Sequence, residues 1–532
     1  MHLHGVELII VLLFMVLVLA IIAFRLNIPY PMVLLVGGIV IAFTPGLPRV
    51  TLDPELVFVL FLPPILFSAA YLTSWRDFKA NRRPIGLLAV GGVLVTMSIV
   101  AVVARMLIPE ISWPIAFLLG AIVSPPDAVA ATAIFQRLGV PHRTVTILEG
   151  ESLVNDATAL IAYRFAVAAV VAGTFSIWEA SIQFVLVASG GVLLGLAAGW
   201  VMGQIIRWIS EPALSIAATL IFPLGIYLLA EYLHVSGVLA TVAAGLTYSR
   251  RQSLSTTPEE RSGGFAVWTT GILLINCLVF ILMGLQLGEI VDSLRARGDG
   301  SGASLLDLLG QGLAISLAVI VARFLWVYPA AYVPRLLSSR LRAADPELRQ
   351  AAVFVTAWSG LRGIVSLAAA LALPLTLDNG DPFPFREETV LITFIVIAVT
   401  LLGQGLPLPW LMEKLDFHDD GKLESEFIGA RRLAANAIIE RLQAVEHEPW
   451  APLGHVIELR TRFSHSLEHL PETGRVEDYD TEHIESHNRL RNEVFDAARK
   501  AVVDARNRGE IGDDARLHVE QELDLESLRT EF

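Results

Sequence analysis

Seven ionisable side chains fall inside strongly apolar stretches of this 532-residue chain: Asp127, Glu149, Glu151, Asp156, Arg164, Arg323 and Arg362. A charge at the centre of a membrane helix costs roughly 2.5–3.5 kcal/mol even on the lenient insertion scale, so each is a functional hypothesis by default. Ser124-Pro125-Pro126-Asp127-Ala128 sets a carboxylate beside two consecutive prolines. The prolines withhold backbone donors and clash with the preceding turn, which breaks a helix and frees carbonyl oxygens at membrane depth. The run from Glu149 to Asp156 then reads Glu-Gly-Glu-Ser-Leu-Val-Asn-Asp. At helical spacing Ser152 and Asp156 lie four apart and share a face with Glu149, while Glu151 and Asn155 share the adjacent face. Asp156 is thereby placed to meet Asp127 across a helix pair. Two carboxylates, a hydroxyl and freed carbonyls are the hard oxygen ligands that a small cation such as sodium requires. Proton and cation are expected to compete for one site built on Asp127, Ser152 and Asp156. The structural alternatives are a packed proline kink, which needs no charge beside it, and a buried ion-pair network without a transport role.

A third constellation is Ser359-Gly360-Leu361-Arg362-Gly363, followed by Pro374. Two glycines around an arginine in an apolar helix suggest a second interruption. A break in each half of a chain points to an inverted-repeat transporter with its site near the bilayer midplane. Arg362 requires an anionic partner, and Glu151 is the expected one, a structural pair. Arg164 is positioned to neutralise Glu149, and Arg323 is expected near a helix end, where it can snorkel to the interface. Gly191, Gly195, Gly199 and Gly203 form a small-residue ridge at a spacing of four, read as helix packing. Pro63-Pro64, with Ser68 shortly after, reads as a kink followed by a small polar residue.

The elements that must hold these residues are membrane helices. The chain is 54% hydrophobic and 17% charged, with a mean hydropathy of +0.62, which excludes a soluble enzyme. About thirteen apolar runs are each long enough to cross the hydrocarbon core: 6–24, 31–46, 54–73, 84–108, 114–136, 144–172, 179–208, 212–233, 235–249, 266–288, 304–333, 350–376 and 388–412. The pair 212–233 and 235–249 could also form one hairpin. The first run has no positive segment before it and no small-residue cleavage site after it, so it reads as a retained span. Odd-numbered loops carry about fifteen basic residues against about five in the even loops, which places the N-terminus outside and the C-terminus in the cytoplasm. The formal net charge is −13, and residues after Met412 account for most of it, with 16 Lys and Arg against 28 Asp and Glu. That tail, 413–532, reads as an acidic, helical, cytoplasmic regulatory region following a transmembrane exchange domain, 1–412. Lacking a basic cluster, it argues against nucleic acid and against anionic lipid as partners. Its histidines, among them His447, His455, His465 and His469, read as surface residues rather than pH sensors or zinc ligands. The single cysteine, Cys277, permits no intrachain disulfide.

The motif set resembles the monovalent cation:proton antiporters, sodium/proton exchangers of the Asn-Asp type. It consists of the paired prolines at 63–64, Pro-Asp-Ala-Val-Ala at 126–130, Gly-Glu-Ser-Leu-Val-Asn-Asp at 150–156 and Gly-Leu-Arg-Gly at 360–363, in that order. The resemblance covers about residues 6–412. It implies an all-α polytopic fold with thirteen helices, inverted repeats and crossed broken helices at the fifth and twelfth spans. It also implies a homodimer in which a core moves against a dimerisation domain. By resemblance, Asp156 matches the essential cation- and proton-binding aspartate, Ser152 its hydroxyl ligand, Asp127 the aspartate at the break and Pro126 a carbonyl ligand. Glu151 and Arg362 match an ion pair between core helices. Asn155 stands where electrogenic relatives carry a second aspartate, which suggests electroneutral exchange. Many members have an acid shortly after the paired prolines where this chain has Ser68, which leaves potassium and lithium open beside sodium; Glu149 is the candidate to compensate.

The expected activity is secondary antiport of a monovalent cation for a proton across the cell membrane, in pH homeostasis. A channel would call for rings of like residues or a filter loop. An intramembrane hydrolase would have to use Asp127 and Asp156 as a dyad. Walker, His-Glu-x-x-His and Gly-x-Ser-x-Gly patterns are absent from the sequence, so neither ATP nor a cofactor is expected.

Overall fold

A backbone in hydrocarbon must satisfy its own hydrogen bonds, and the apolar runs accordingly fold as helices. The structure is a computed structural model that describes residues 3–44, 53–172, 177–252, 256–296, 305–339, 349–377, 380–415, 417, 421–468 and 470, and 481–528 except 509 and 511. His469 lies outside the described residues. In chain order the helices are α1 (Leu3–Arg25), α2 (Tyr30–Ala42), α3 (Pro54–Leu72), α4 (Arg82–Leu107), α5 (Trp113–Val123), α6 (Ala128–Leu138), α7 (His142–Ala172) and α8 (Ile177–Ile206). They continue with α9 (Pro212–Tyr232), α10 (Gly237–Gln252), α11 (Pro258–Ala296), α12 (Leu305–Leu337), α13 (Gln350–Trp358), α14 (Ile364–Leu371) and α15 (Arg386–Lys414). Among the described residues, nine helical segments are long and apolar enough to cross a membrane. The fold is all-α.

The region 212–249 is two helices joined by a turn at 233–236, where His234 takes the left-handed conformation at φ 56°. α11 has 39 residues against the 23 expected from the apolar run 266–288. Helix continues through polar residues such as Glu259, Glu260 and Asp292, which hydropathy alone excludes. In α3, Pro63 and Pro64 follow a π-turn at Val57–Phe61, the register change that accommodates prolines without unwinding the helix.

Two sets of helices pack around one another. In the first, α4, α5, α7, α12, α13, α14 and α15 surround the two interruptions between α5 and α6 and between α13 and α14. In the second, α8 lies along α10, α2 along α11, and α10 also packs on α3 and α9. The glycine ridge serves the α8–α10 contact. A Cβ at Gly195 would meet the carbonyl oxygen of Ala240, and one at Gly199 would lie 2.6 Å from that of Ala244. At Gly203 the nearest atom is 3.9 Å away, so the close contact runs over three of the four glycines.

The chain divides into two compact units, Met1–His418 and Asp419–Phe532. The second unit contains α16 (Lys422–Val445), α17 (Leu453–Glu468), α18 (Thr481–Asn507) and α19 (Asp513–Leu528). Within it α16 packs on α17 and α18 on α19. Arg499 bridges α18 to Asp524 of α19 at 2.9 Å.

Candidate functional site

The two interruptions meet. Residues 124–127 leave the helical conformation between α5 and α6, and residues 359–363 do so between α13 and α14. At the crossing the Asp127 N–H donates to the Leu361 carbonyl at 2.7 Å. Asp127 caps α6: its Oδ1 accepts the Val129 N–H at 2.8 Å. Its other oxygen lies against Gly363, the N-cap of α14, where a Cβ would collide with it. One carboxylate thus faces the N-terminal ends of both following half-helices, where the helix dipoles favour negative charge. Arg362 does the converse. Fully buried, it donates from Nε to the Val123 carbonyl at 3.0 Å, from Nη2 to the Ser124 carbonyl at 3.3 Å and from Nη1 to the Gly360 carbonyl. Its own N–H donates to Thr400 Oγ1 at 3.1 Å. The guanidinium therefore satisfies the carbonyls left over where α5 and α13 end.

The carboxylates of Asp127 and Asp156 line one cavity of about 590 Å³, together with Ser68, Pro126, Glu149, Ser152 and Ser366. Asp156 is buried, at 7% exposure, and Asp127 is half-buried. The Ser152 hydroxyl accepts the Ala128 N–H at 3.4 Å, tying α7 to the start of α6. Asn155 is wholly buried behind this lining. Its Nδ2 donates to the Pro126 carbonyl at 2.9 Å, while its Oδ1 has no hydrogen-bond partner among the described residues. Ser68 donates its proton to the Ile65 carbonyl at 2.9 Å, which leaves its oxygen lone pairs uncommitted. Helix α11 closes the opposite wall with Thr269 and Asn276.

Three expectations are corrected. Glu151 is bound by Arg323 rather than Arg362: Nη1 to Oε1 is 2.7 Å and Nη2 to Oε2 is 2.9 Å, both side chains being buried. The break supplies the reason, since its carbonyls already occupy the Arg362 guanidinium. Arg323 does not snorkel. It lies in the interior of α12 and also donates to the Thr356 carbonyl at 3.1 and 3.2 Å. Arg164 does not neutralise Glu149, because fifteen residues of α7 separate them by about 22 Å along the axis. It pairs instead with Glu231 of α9 at 2.7 Å, bridging the two sets of helices.

Sequence reasoning missed Thr400, Asn276 and Ser366. Each is a lone polar residue within an apolar run, the same signal that singled out the acids but at lower cost and so less conspicuous.

A family profile for the transmembrane region of sodium/hydrogen exchangers matches residues 10–414. A sodium, potassium, lithium and rubidium/proton antiporter of Bacillus pumilus is 34% identical over 426 residues, or 78% of this chain; the match covers 62% of that relative's length. A sodium/proton antiporter of Aphanothece halophytica is 32% identical over 80% of this chain and 78% of its own. An uncharacterised sodium/proton exchanger of Mycobacterium bovis is 31% identical over 99% of this chain and 96% of its own. Among solved structures, the sodium proton antiporter of Methanocaldococcus jannaschii superposes with a TM-score of 0.60 at 19% identity, covering 77% of this chain and 99% of that one. At that identity the likeness is one of fold.

Proposed function

Because the chain belongs to the sodium/hydrogen exchanger family, we propose that it is a secondary antiporter that exchanges a monovalent cation for a proton, with Asp156 as the shared binding group. The observation that carries this reading is the single cavity holding Asp127, Ser152 and Asp156 at the crossing of two interrupted helices. The carboxylate of Asp156 takes either a proton or a cation, and each occupant excludes the other. Asp127 supplies a second charge, and Ser152 and the Pro126 carbonyl supply neutral oxygens. Asn155 holds the Pro126 carbonyl in place through its amide, a positioning role, and brings no second titrating acid next to Asp156. One cation then exchanges for one proton, without net charge movement. Only loaded forms cross, by rocking of the helix set that carries α5–α7 and α12–α15 against the set built on α2 and α8–α11. The Glu151–Arg323 pair stays within the first set and moves with it.

Counting each interrupted pair as one crossing, the helices make thirteen passes, with the N-terminus outside and the C-terminus in the cytoplasm. The protein works as a homodimer in the cell membrane, and the acidic unit after residue 418 regulates it. Glu149 compensates for the missing acid at Ser68.

The test is reconstitution into liposomes with a trapped pH dye. Added sodium, lithium or potassium should each move protons to an extent that ranks the ions. Clamping the voltage with valinomycin and potassium should leave the sodium-driven signal unchanged. A flux that follows the membrane voltage and needs no proton gradient would favour a channel instead.

A further inference from the structure

α14 reads Ile-Val-Ser-Leu-Ala-Ala-Ala-Leu, and Ser366 is its only polar side chain. The residue is 1% exposed and its hydroxyl has no hydrogen-bond partner among the described residues. Other buried hydroxyls near the crossing fold back onto their own helix: Ser124 donates to Ala121, Thr158 to Val154, Ser359 to Val355 and Thr400 to Val396. Ser366 stands in the first turn of α14, directly after the interruption, where no helical carbonyl precedes it to accept such a bond. A buried hydroxyl left unpaired is costly, and alanine at this place in an alanine-rich helix would avoid that cost. Ser366 lines the same cavity as Asp127, Ser152 and Asp156.

We propose that Ser366 Oγ is a direct ligand of the transported cation, the one contributed by the second interrupted helix. This deepens the antiporter reading and rests on it. With Ser152 on α7 and Ser366 on α14, two neutral hydroxyls from opposite sides complete the oxygen shell around a cation whose charge is met by Asp156 and Asp127. A cation held in this way joins α7 to α14 directly, so occupancy is sensed by both helices. The number of neutral oxygens within reach also sets which ion fits, because a small ion needs fewer ligands at shorter distance than a large one.

The experiment compares Ser366→Ala and Ser366→Thr with the unmodified full chain in liposomes, measuring KM and maximal rate for sodium, lithium and potassium. Purified protein is assayed in parallel for thermal stabilisation by each ion. Ser366→Ala should raise KM for the preferred ion roughly tenfold, one decade of affinity, at a retained maximal rate. It should also change the ranking of the ions and reduce the stabilisation by cation. Ser366→Thr, which keeps the hydroxyl, should restore KM. KM values for Ser366→Ala equal to those of the unmodified chain, or a loss of rate shared by Ser366→Thr without a change in KM, would overturn the proposal. If the unmodified chain itself moves no protons in response to any cation, it is the antiporter reading that fails.

Discussion

Asp156 and Asp127 differ in what their surroundings ask of them, and substitutions should separate the two. Asp156 accepts no hydrogen bond from the described residues, whereas Asp127 also caps α6 and fits against Gly363. We expect Asp156→Asn to fold normally and to lose all cation-driven proton flux. Asp127→Ala should lose exchange and also lower the melting temperature, since an N-cap side chain contributes about 1 kcal/mol relative to alanine. Glu149→Gln tests compensation for Ser68: a rise of several-fold in the cation KM at an unchanged maximal rate is expected, and an unchanged KM would remove Glu149 from the site. The acids of this cavity were legible in the sequence because a charge inside an apolar run is expensive and therefore conspicuous. Their partners were less so. Arg323, Arg362 and Arg164 all stand out as charges, but which carboxylate each one meets depends on how helices far apart in sequence pack, and only the distance along α7 from Arg164 to Glu149 could have been worked out beforehand.

At the scale of elements, the interruptions were announced by Pro125-Pro126 and by Gly360 and Gly363, and both occur where those residues stand. What local sequence does not carry is that Arg362 is consumed by the carbonyls of the break. Glu151 and Arg323 should consequently behave as a unit: in a double-substitution cycle on stability in detergent, Glu151→Gln and Arg323→Met should be strongly coupled, each alone costing on the order of 3 kcal/mol because it leaves a buried charge unpaired. Glu151→Gln and Arg362→Met should be closer to additive, and the reverse ranking would restore the pairing with Arg362. Gly363→Ala should remove exchange although every ionisable residue is kept, because its methyl group would displace the Asp127 carboxylate.

For the whole molecule, the division after His418 falls close to where the composition turns from apolar to acidic. Rocking of the two helix sets requires the Arg164–Glu231 bridge to break in part of the cycle. Joining cysteines placed at 164 and 231 with a reversible methanethiosulfonate cross-linker, in a Cys277→Ser background, should stop exchange, and reductant should restore it. Removing residues after 418 should leave exchange intact and shift its pH profile; an unshifted profile would end the regulatory role of that unit. The central claim is that one site holds either a cation or a proton, and it is tested most directly by proton release from purified protein in weakly buffered detergent solution. Adding sodium, or whichever ion ranks first, should release close to one proton per cation bound, with none from Asp156→Asn. Stoichiometric cation binding without proton release, or release that survives Asp156→Asn, would contradict it.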